Sequence, residues 1–249
     1  MDVALAAVIA APALALGSFL NVVASRLPLQ RSLSRPRSAC MSCGTEIAAR
    51  DNIPLLSYAL LRGRCRHCGV HIPARYPLVE AATALLVAAC IVVFGLNAYG
   101  LTAAFFCAVL VVISAIDIEH RIVPNRIVLP AAGIVLAAQM LREPSLEWPL
   151  AALGASTALF LVALAYPRGM GMGDVKLALL LGAMLGVDVV VALMAGMLAA
   201  LVPAVVLLVR HGSAARKMAI PFAPFLALGA LVALFAGDAI LRWYGGLGG

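Results

Sequence analysis

Hydrophobic residues run in long blocks along this chain, and one polar stretch interrupts them. Most blocks approach the ~20 residues that an α-helix needs to cross a bilayer, so we predict about eight membrane-spanning helices. The pattern indicates an all-α polytopic membrane protein divided into a first transmembrane helix at 1–23, a small insert at 24–77 and a helical core at 78–249. The predicted apolar segments are 3–23, 78–95, 101–116, 126–141, 149–166, 176–187, 189–209 and 220–241.

The composition and charge support this interpretation and set the topology. The chain is 64% hydrophobic and only 12% charged, whereas a soluble domain is about half apolar and about a quarter charged. When the insert is placed inside, all but two of the 18 Lys and Arg residues fall on the inner face, the exceptions being Arg142 and Arg242. The positive-inside rule then predicts both termini outside and the insert in the cytoplasm. We therefore attribute the net charge of +7 to membrane topology and to contact with membrane lipid, and not to nucleic-acid binding.

The insert carries a candidate metal site. Two Cys-x-x-Cys pairs, CMSCG at 40–44 and CRHCG at 65–69, are separated by 21 residues. Four thiolates at this spacing predict a tetrahedral, structural zinc site, because four protein ligands leave no open position for chemistry. The alternatives are unligated thiols or a redox pair, and the reducing cytoplasm disfavours a structural disulfide. The predicted ligands are Cys40, Cys43, Cys65 and Cys68, with His67 and His71 as spare candidates.

Carboxylates near the inner membrane boundary form the second candidate functional site. An ionisable group at membrane depth is energetically costly, so its presence indicates a function. Asp117 ends the third apolar segment in VVISAIDIEHRIVPN, and Asp174 begins the sixth after GMGMG. The two side chains are thus predicted at the same depth, on the same side and on different helices. Glu80 and Glu119 fall near the same boundary.

Two carboxylates that meet share a proton, because like charges at short range do not both ionise. The ionised one can deprotonate water and the protonated one can donate to a scissile carbonyl, which is aspartic peptidase chemistry. Gly171 and Gly173 would let a substrate backbone approach closely. Lys176 is placed either to favour the ionised form of Asp174 or to bind a lipid phosphate.

Simpler interpretations of these carboxylates stay open. Asp174 at a helix start is a favoured N-cap, and Asp117 can be an anion at the interface. Paired membrane carboxylates also carry protons or ions, so an ion-coupled transporter is the rival function.

The ordered set of motifs resembles the type IV prepilin peptidases, also called prepilin leader peptidase/N-methyltransferases. The resemblance extends from residue 17 to about residue 230 and includes a G-x-G-D pattern shared with other intramembrane aspartic peptidases. The first cysteine pair departs from the family, which often has proline after the first Cys. The matching stretches are GSFLNVVASRLP at 17–28, the cysteine pairs, residues 52–86, AIDIEHRIVPN, GMGDVKLALLLGAMLG and AIPFAPFLALGA at 219–230.

The resemblance implies a protein of the bacterial cytoplasmic (inner) membrane with two reactions. Asp117 and Asp174 would cleave the basic leader of type IV prepilins or pseudopilins after Gly, before a residue that is usually Phe. The new N-terminus would then be methylated with S-adenosylmethionine as methyl donor, although a peptidase-only enzyme stays an alternative. Glu80 is a candidate contact for the leader, with an ion pair to an arginine as the alternative.

The family places methyl transfer with the insert and its flanks. Gly17, Asn21 and Arg26, together with Glu80, are therefore candidates for the cofactor-binding region. The alternative for these four residues is helix packing, capping and ion pairing.

Overall fold

The structure is a computed structural model that describes residues 3–166, 170–212 and 220–246. Over these residues the chain is all-helical, as predicted, and contains no β-strand. Short 3₁₀ turns lie at Ala49–Asp51 and Gly186–Asp188. The α-helices are α1 (Val3–Arg26), α2 (Leu56–Leu60), α3 (Arg75–Phe94), α4 (Ala98–His120), α5 (Asn125–Arg142), α6 (Glu147–Ala165), α7 (Met172–Leu185), α8 (Val189–His211) and α9 (Ala223–Gly246).

Each of the predicted apolar segments overlaps one of the long helices, and the predicted boundary between segments 176–187 and 189–209 falls at the 3₁₀ turn between α7 and α8. Six stretches of the described chain are long and apolar enough to cross a membrane. Helix α5 is not among them, and α7 and α8 form one stretch of 40 residues. The six stretches are Val8–Arg26, Arg75–Phe94, Ala98–His120, Glu147–Ala165, Met172–His211 and Ala223–Trp243.

Part of the predicted inner charge falls on Arg168, Arg216 and Lys217, which lie outside the described residues. The last family-like stretch begins at Ala219, which also lies outside them.

The chain divides into two compact units, and the first is Met1–Ile116. In it α1 packs along α3, and the insert follows α1 with α2 beside the first 3₁₀ turn. Cys90 and Cys107 are fully buried, with their sulfurs 3.6 Å apart, which agrees with their apolar surroundings in the sequence.

The second unit, Asp117–Gly249, is organised around α7. Helices α5 and α6 pack on α7, α8 pairs with α9, and α7 is buried from Asp174 to Leu185 with few interruptions. Two polar side chains that pack on α7 donate hydrogen bonds to its backbone carbonyls. Gln139 donates to the Met184 carbonyl at 2.9 Å and Ser156 donates to the Val175 carbonyl at 3.0 Å. A buried polar group without such a partner would cost about 1–3 kcal/mol, so these bonds keep α7 in register with its neighbours.

Candidate active site and metal centre

Asp117 lies in the last turn of α4 and is only 5% exposed. Its Oδ2 accepts a hydrogen bond from the Ala223 backbone N–H at 3.0 Å, where α9 begins. The Phe222 N–H also donates to this carboxylate, and the charge of Arg121 acts on it. The carboxylate is thus buried in the second unit and held there by backbone donors.

Asp174 is the third residue of α7 and is 9% exposed. The N-cap of α7 is Gly171, so the alternative that Asp174 itself is the N-cap is wrong. Its carboxylate instead accepts a hydrogen bond from the Gly171 N–H, which is the reciprocal half of a capping box. The side chain therefore points back towards the helix start.

Asp117 and Asp174 lie in the same compact unit, and the charge of Asp117 acts on the Asp174 carboxylate. The connection between α4 and α5 lies against the start of α7 at Gly173. A Cβ on Gly173 would fall 2.9 Å from the Val123 Cβ and 3.2 Å from its Cγ2. Only glycine allows this approach, and it is what places the start of α7 beside the end of α4.

The glycines and the lysine of the G-x-G-D stretch have different surroundings. The space at Gly173 is filled by Val123, whereas Gly171 is exposed and a Cβ there would lie 3.5 Å from Asp174 Oδ2. Open access to the carboxylate is thus at Gly171. Lys176 donates to the Asn125 side-chain oxygen at 2.9 Å, which ties α7 to the first residue of α5.

In the first unit, Gly17 and Glu80 form a close contact between α1 and α3. A Cβ on Gly17 would fall 2.7 Å from the Glu80 Cα. The Glu80 carboxylate, 9% exposed, accepts the Leu55 N–H at 2.9 Å and a hydrogen bond from Ser18. Asn21 donates to the Tyr76 carbonyl at 3.0 Å. These contacts join the two helices to the insert, as the packing alternative predicts.

Arg26 lies apart from this contact, at the end of α1, and donates to the carbonyls of Ser32 and Leu33 at 3.1 and 3.5 Å. It lines a cleft of about 350 Å³ between the end of α1 and the insert. Small-molecule sites begin at about 300 Å³. Other residues that line the cleft include Phe19, Arg37, Ser38 and Asn52.

The four cysteines of the insert come together, with their sulfurs all within 4.8 Å of one another. Each pair forms the same turn: Gly44 N–H donates to the Cys40 carbonyl and Gly69 N–H to the Cys65 carbonyl, and both glycines have φ +70°. Isolated bridges Ala39↔Glu46 and Arg64↔His71 close the two turns.

The sulfur arrangement fits a tetrahedral zinc ion. Zinc–sulfur bonds of about 2.3 Å place ligand sulfurs about 3.8 Å apart, and the Cys40 and Cys68 sulfurs are 3.7 Å apart. Hydrogen bonds with the hydroxyl and backbone of Thr45 lower the pKa of the Cys43 thiol to about 6, which favours the thiolate, the form that binds metal. Arg66, in the second turn, forms a bidentate ion pair with Asp51. Its guanidinium lowers the pKa of the Asp51 carboxyl.

The sequence did not reveal the partners of Asp117, because they are backbone groups 106 residues away. A signal was present in IPFAPF, where prolines flank the residues that start α9. The contact of Val123 with Gly173 was equally unpredictable, since nothing in the sequence indicates which glycine an apolar residue packs against.

Two buried carboxylates in a helical membrane protein are compatible with the class of intramembrane aspartic peptidases. Comparison with protein families finds two models that match this chain. Residues 12–94 match the bacterial peptidase A24 N-terminal domain, and residues 104–209 match the type IV leader peptidase family.

Two curated relatives match nearly the whole chain, and a third matches half of it. A prepilin leader peptidase/N-methyltransferase of Bacillus subtilis is 34% identical over 236 residues, which is 93% of this chain and 94% of the relative. One of Aeromonas hydrophila is 35% identical, over 93% of this chain and 90% of the relative. One of Myxococcus xanthus is 46% identical over 126 residues, half of this chain. No solved structure matches the chain.

The chain belongs to the type IV leader peptidase family. The resemblance drawn from the motifs is confirmed, and with it the prediction of a peptidase. The apolar helices and the family together support a multi-pass protein of the inner membrane.

Proposed function

We propose that this protein removes the leader peptide of type IV prepilins or pseudopilins, with Asp117 and Asp174 as the catalytic pair. One observation carries the proposal: two carboxylates from distant parts of the chain are buried in one unit and interact there. The names of the relatives, prepilin leader peptidase/N-methyltransferase, support both the substrate and the second activity.

The chemistry follows from the pair. One carboxylate is ionised and takes a proton from water, while the other donates its proton to the scissile carbonyl oxygen. Burial excludes bulk water and strengthens both interactions. The exposed Gly171, beside Asp174 Oδ2, is the point at which an extended substrate backbone reaches the pair.

The second reaction methylates the amine that cleavage releases. S-adenosylmethionine, when bound, supplies the methyl group. The cleft that Arg26 lines has the size for a small molecule, and its aromatic, cationic and hydroxyl groups fit a charged amino-acid and nucleoside ligand. We assign the cofactor to this cleft and the role of Gly17 and Asn21 to the α1–α3 contact.

The four cysteines of the insert would hold one structural zinc ion. We propose that the chain crosses the membrane eight times, with both termini outside. The insert and the carboxylate pair then lie on the cytoplasmic side. Its parts are the first helix at 1–23, the zinc-binding insert at 24–77 and the peptidase core at 78–249. The charge distribution of the sequence supports this orientation.

Purified protein in liposomes, mixed with a full-length prepilin, tests the proposal by mass spectrometry of the pilin N-terminus. We expect a leaderless pilin, with an added methyl group only when S-adenosylmethionine is present. Asp174→Asn should give neither product from the full-length substrate but should still methylate a pre-cleaved pilin. Carboxylate-dependent ion flux without cleavage would replace the proposal by the transporter, and a leaderless pilin that stays unmethylated with the cofactor would leave a peptidase alone.

A further inference from the structure

The start of α9 meets Asp117 directly. The Ala223 N–H donates to Asp117 Oδ2 at 3.0 Å, and the Phe222 N–H donates to the same carboxylate. The first N–H groups of a helix have no acceptor within the helix, and they form the positive end of its dipole. A 24-residue helix thus directs its donor end at this one side chain.

The local sequence leaves the backbone N–H groups of Phe222 and Ala223 available to Asp117. The next N–H groups along α9, those of Phe225 and Leu226, are both turned to the Phe222 carbonyl, at 3.1 and 3.2 Å. Pro224, which lies between Ala223 and Phe225, has no N–H. Ala223 is fully buried, so water does not compete for its N–H.

The surroundings of the two carboxylates therefore differ. Burial favours the protonated form of both side chains, but Asp117 also receives two backbone donors and the charge of Arg121, which are interactions that favour its anion. Asp174 receives one donor, from Gly171, and faces the charge of Asp117. The nearby cation Lys176 is bonded to Asn125.

From this geometry we propose that the start of α9 makes Asp117 the ionised member of the pair, so that Asp117 is the base and Asp174 carries the proton. Ala223 is then a positioning residue, which acts through Asp117. This inference rests on the proposed peptidase function and assigns the roles within it.

The assignment fixes the path of each proton. Asp117 takes a proton from water as the water oxygen bonds to the scissile carbon, and the carbonyl oxygen takes the proton of Asp174. Asp117 then gives its proton to the leaving nitrogen as the C–N bond breaks, while a hydroxyl proton of the intermediate returns to Asp174. Both side chains end as they began, and the products are a carboxylic acid and an amine.

The test replaces single backbone N–H groups by ester oxygens, through incorporation of α-hydroxy acids during cell-free synthesis into lipid discs. Lactic acid in place of Ala223 removes the N–H that faces Asp117 and adds no bulk. The matched control is the hydroxy analogue of leucine at Leu226, which removes an N–H that donates to the Phe222 carbonyl and not to Asp117. Cleavage by the unmodified enzyme is measured first and concerns the proposed function alone.

We expect the Ala223 ester to move the acidic limb of the kcat–pH profile up by about one pH unit, since the anion loses one of its hydrogen bonds. The alkaline limb, which reports on the proton of Asp174, should stay in place, and the Leu226 ester should move neither limb. A lowered kcat with both limbs unmoved would mean a purely structural role, and a shift of the alkaline limb would reverse the assignment; either overturns the proposal. If the Ala223 ester does not yield folded protein, the ester at Phe222 is tested against the same outcomes.

Discussion

The contact between Gly173 and Val123 can be tested by adding one methyl group. In Gly173→Ala the new Cβ would lie 2.9 Å from the Val123 Cβ, whereas carbon atoms pack at about 3.5–4.0 Å. The connection between α4 and α5 must therefore move away from α7 by roughly 0.6–1 Å. Overpacking of this kind costs about 1–3 kcal/mol.

The displaced connection lies between the two carboxylates along the chain, so we also expect leader cleavage to fall by roughly ten- to a hundredfold, since a 1 Å misplacement costs about that much. Thermal unfolding in detergent and single-turnover cleavage of a prepilin measure the two effects. Gly154→Ala in α6, where a Cβ meets no atom within 4 Å, is the matched control. Adding Val123→Gly should restore part of both losses. A Gly173→Ala enzyme with unchanged melting temperature and cleavage rate would refute the close contact.

Further predictions concern the insert and α1. Purified protein should contain about one zinc ion by elemental analysis, and Cys65→Ser should lower both the metal content and the melting temperature. In chelator-treated protein at pH 7, Thr45→Val should slow alkylation of Cys43, measured by mass spectrometry, because the hydrogen bonds that keep its pKa near 6 are weakened. An unchanged alkylation rate would contradict that cause. Gly17→Ala should lower the melting temperature, since its Cβ would meet the α3 backbone at 2.7 Å, whereas Arg26→Ala should lower methylation of a pre-cleaved pilin and leave leader cleavage unchanged.

The long helices could be predicted because lipid forces apolar side chains outward along each span, and this leaves long hydrophobic blocks in the sequence. Two Cys-x-x-Cys pairs likewise indicate one cluster, since four such ligands have few other uses at that spacing. Asp117 and Asp174 were found because a carboxylate at membrane depth has few structural explanations.

What the sequence did not reveal are contacts between distant backbone groups. The bond from Ala223 to Asp117 depends on where α9 begins in space, and the prolines of IPFAPF mark that start without indicating which side chain accepts the bond. The same holds for Gly173, which we expected to face substrate: whether a glycine makes room for a ligand or for a side chain depends on its neighbour, here Val123.

Prepilin cleavage by Asn variants shows whether Asp117 and Asp174 act as one catalytic pair. Asp117→Asn, Asp174→Asn and the double variant are compared with Asp238→Asn, the same change near the far end of α9. We expect each single variant to lose cleavage almost completely, the double variant to lose no more than either single one, as residues that act as a unit do, and Asp238→Asn to cleave normally. A single variant that processes prepilin at the normal rate would contradict the claim.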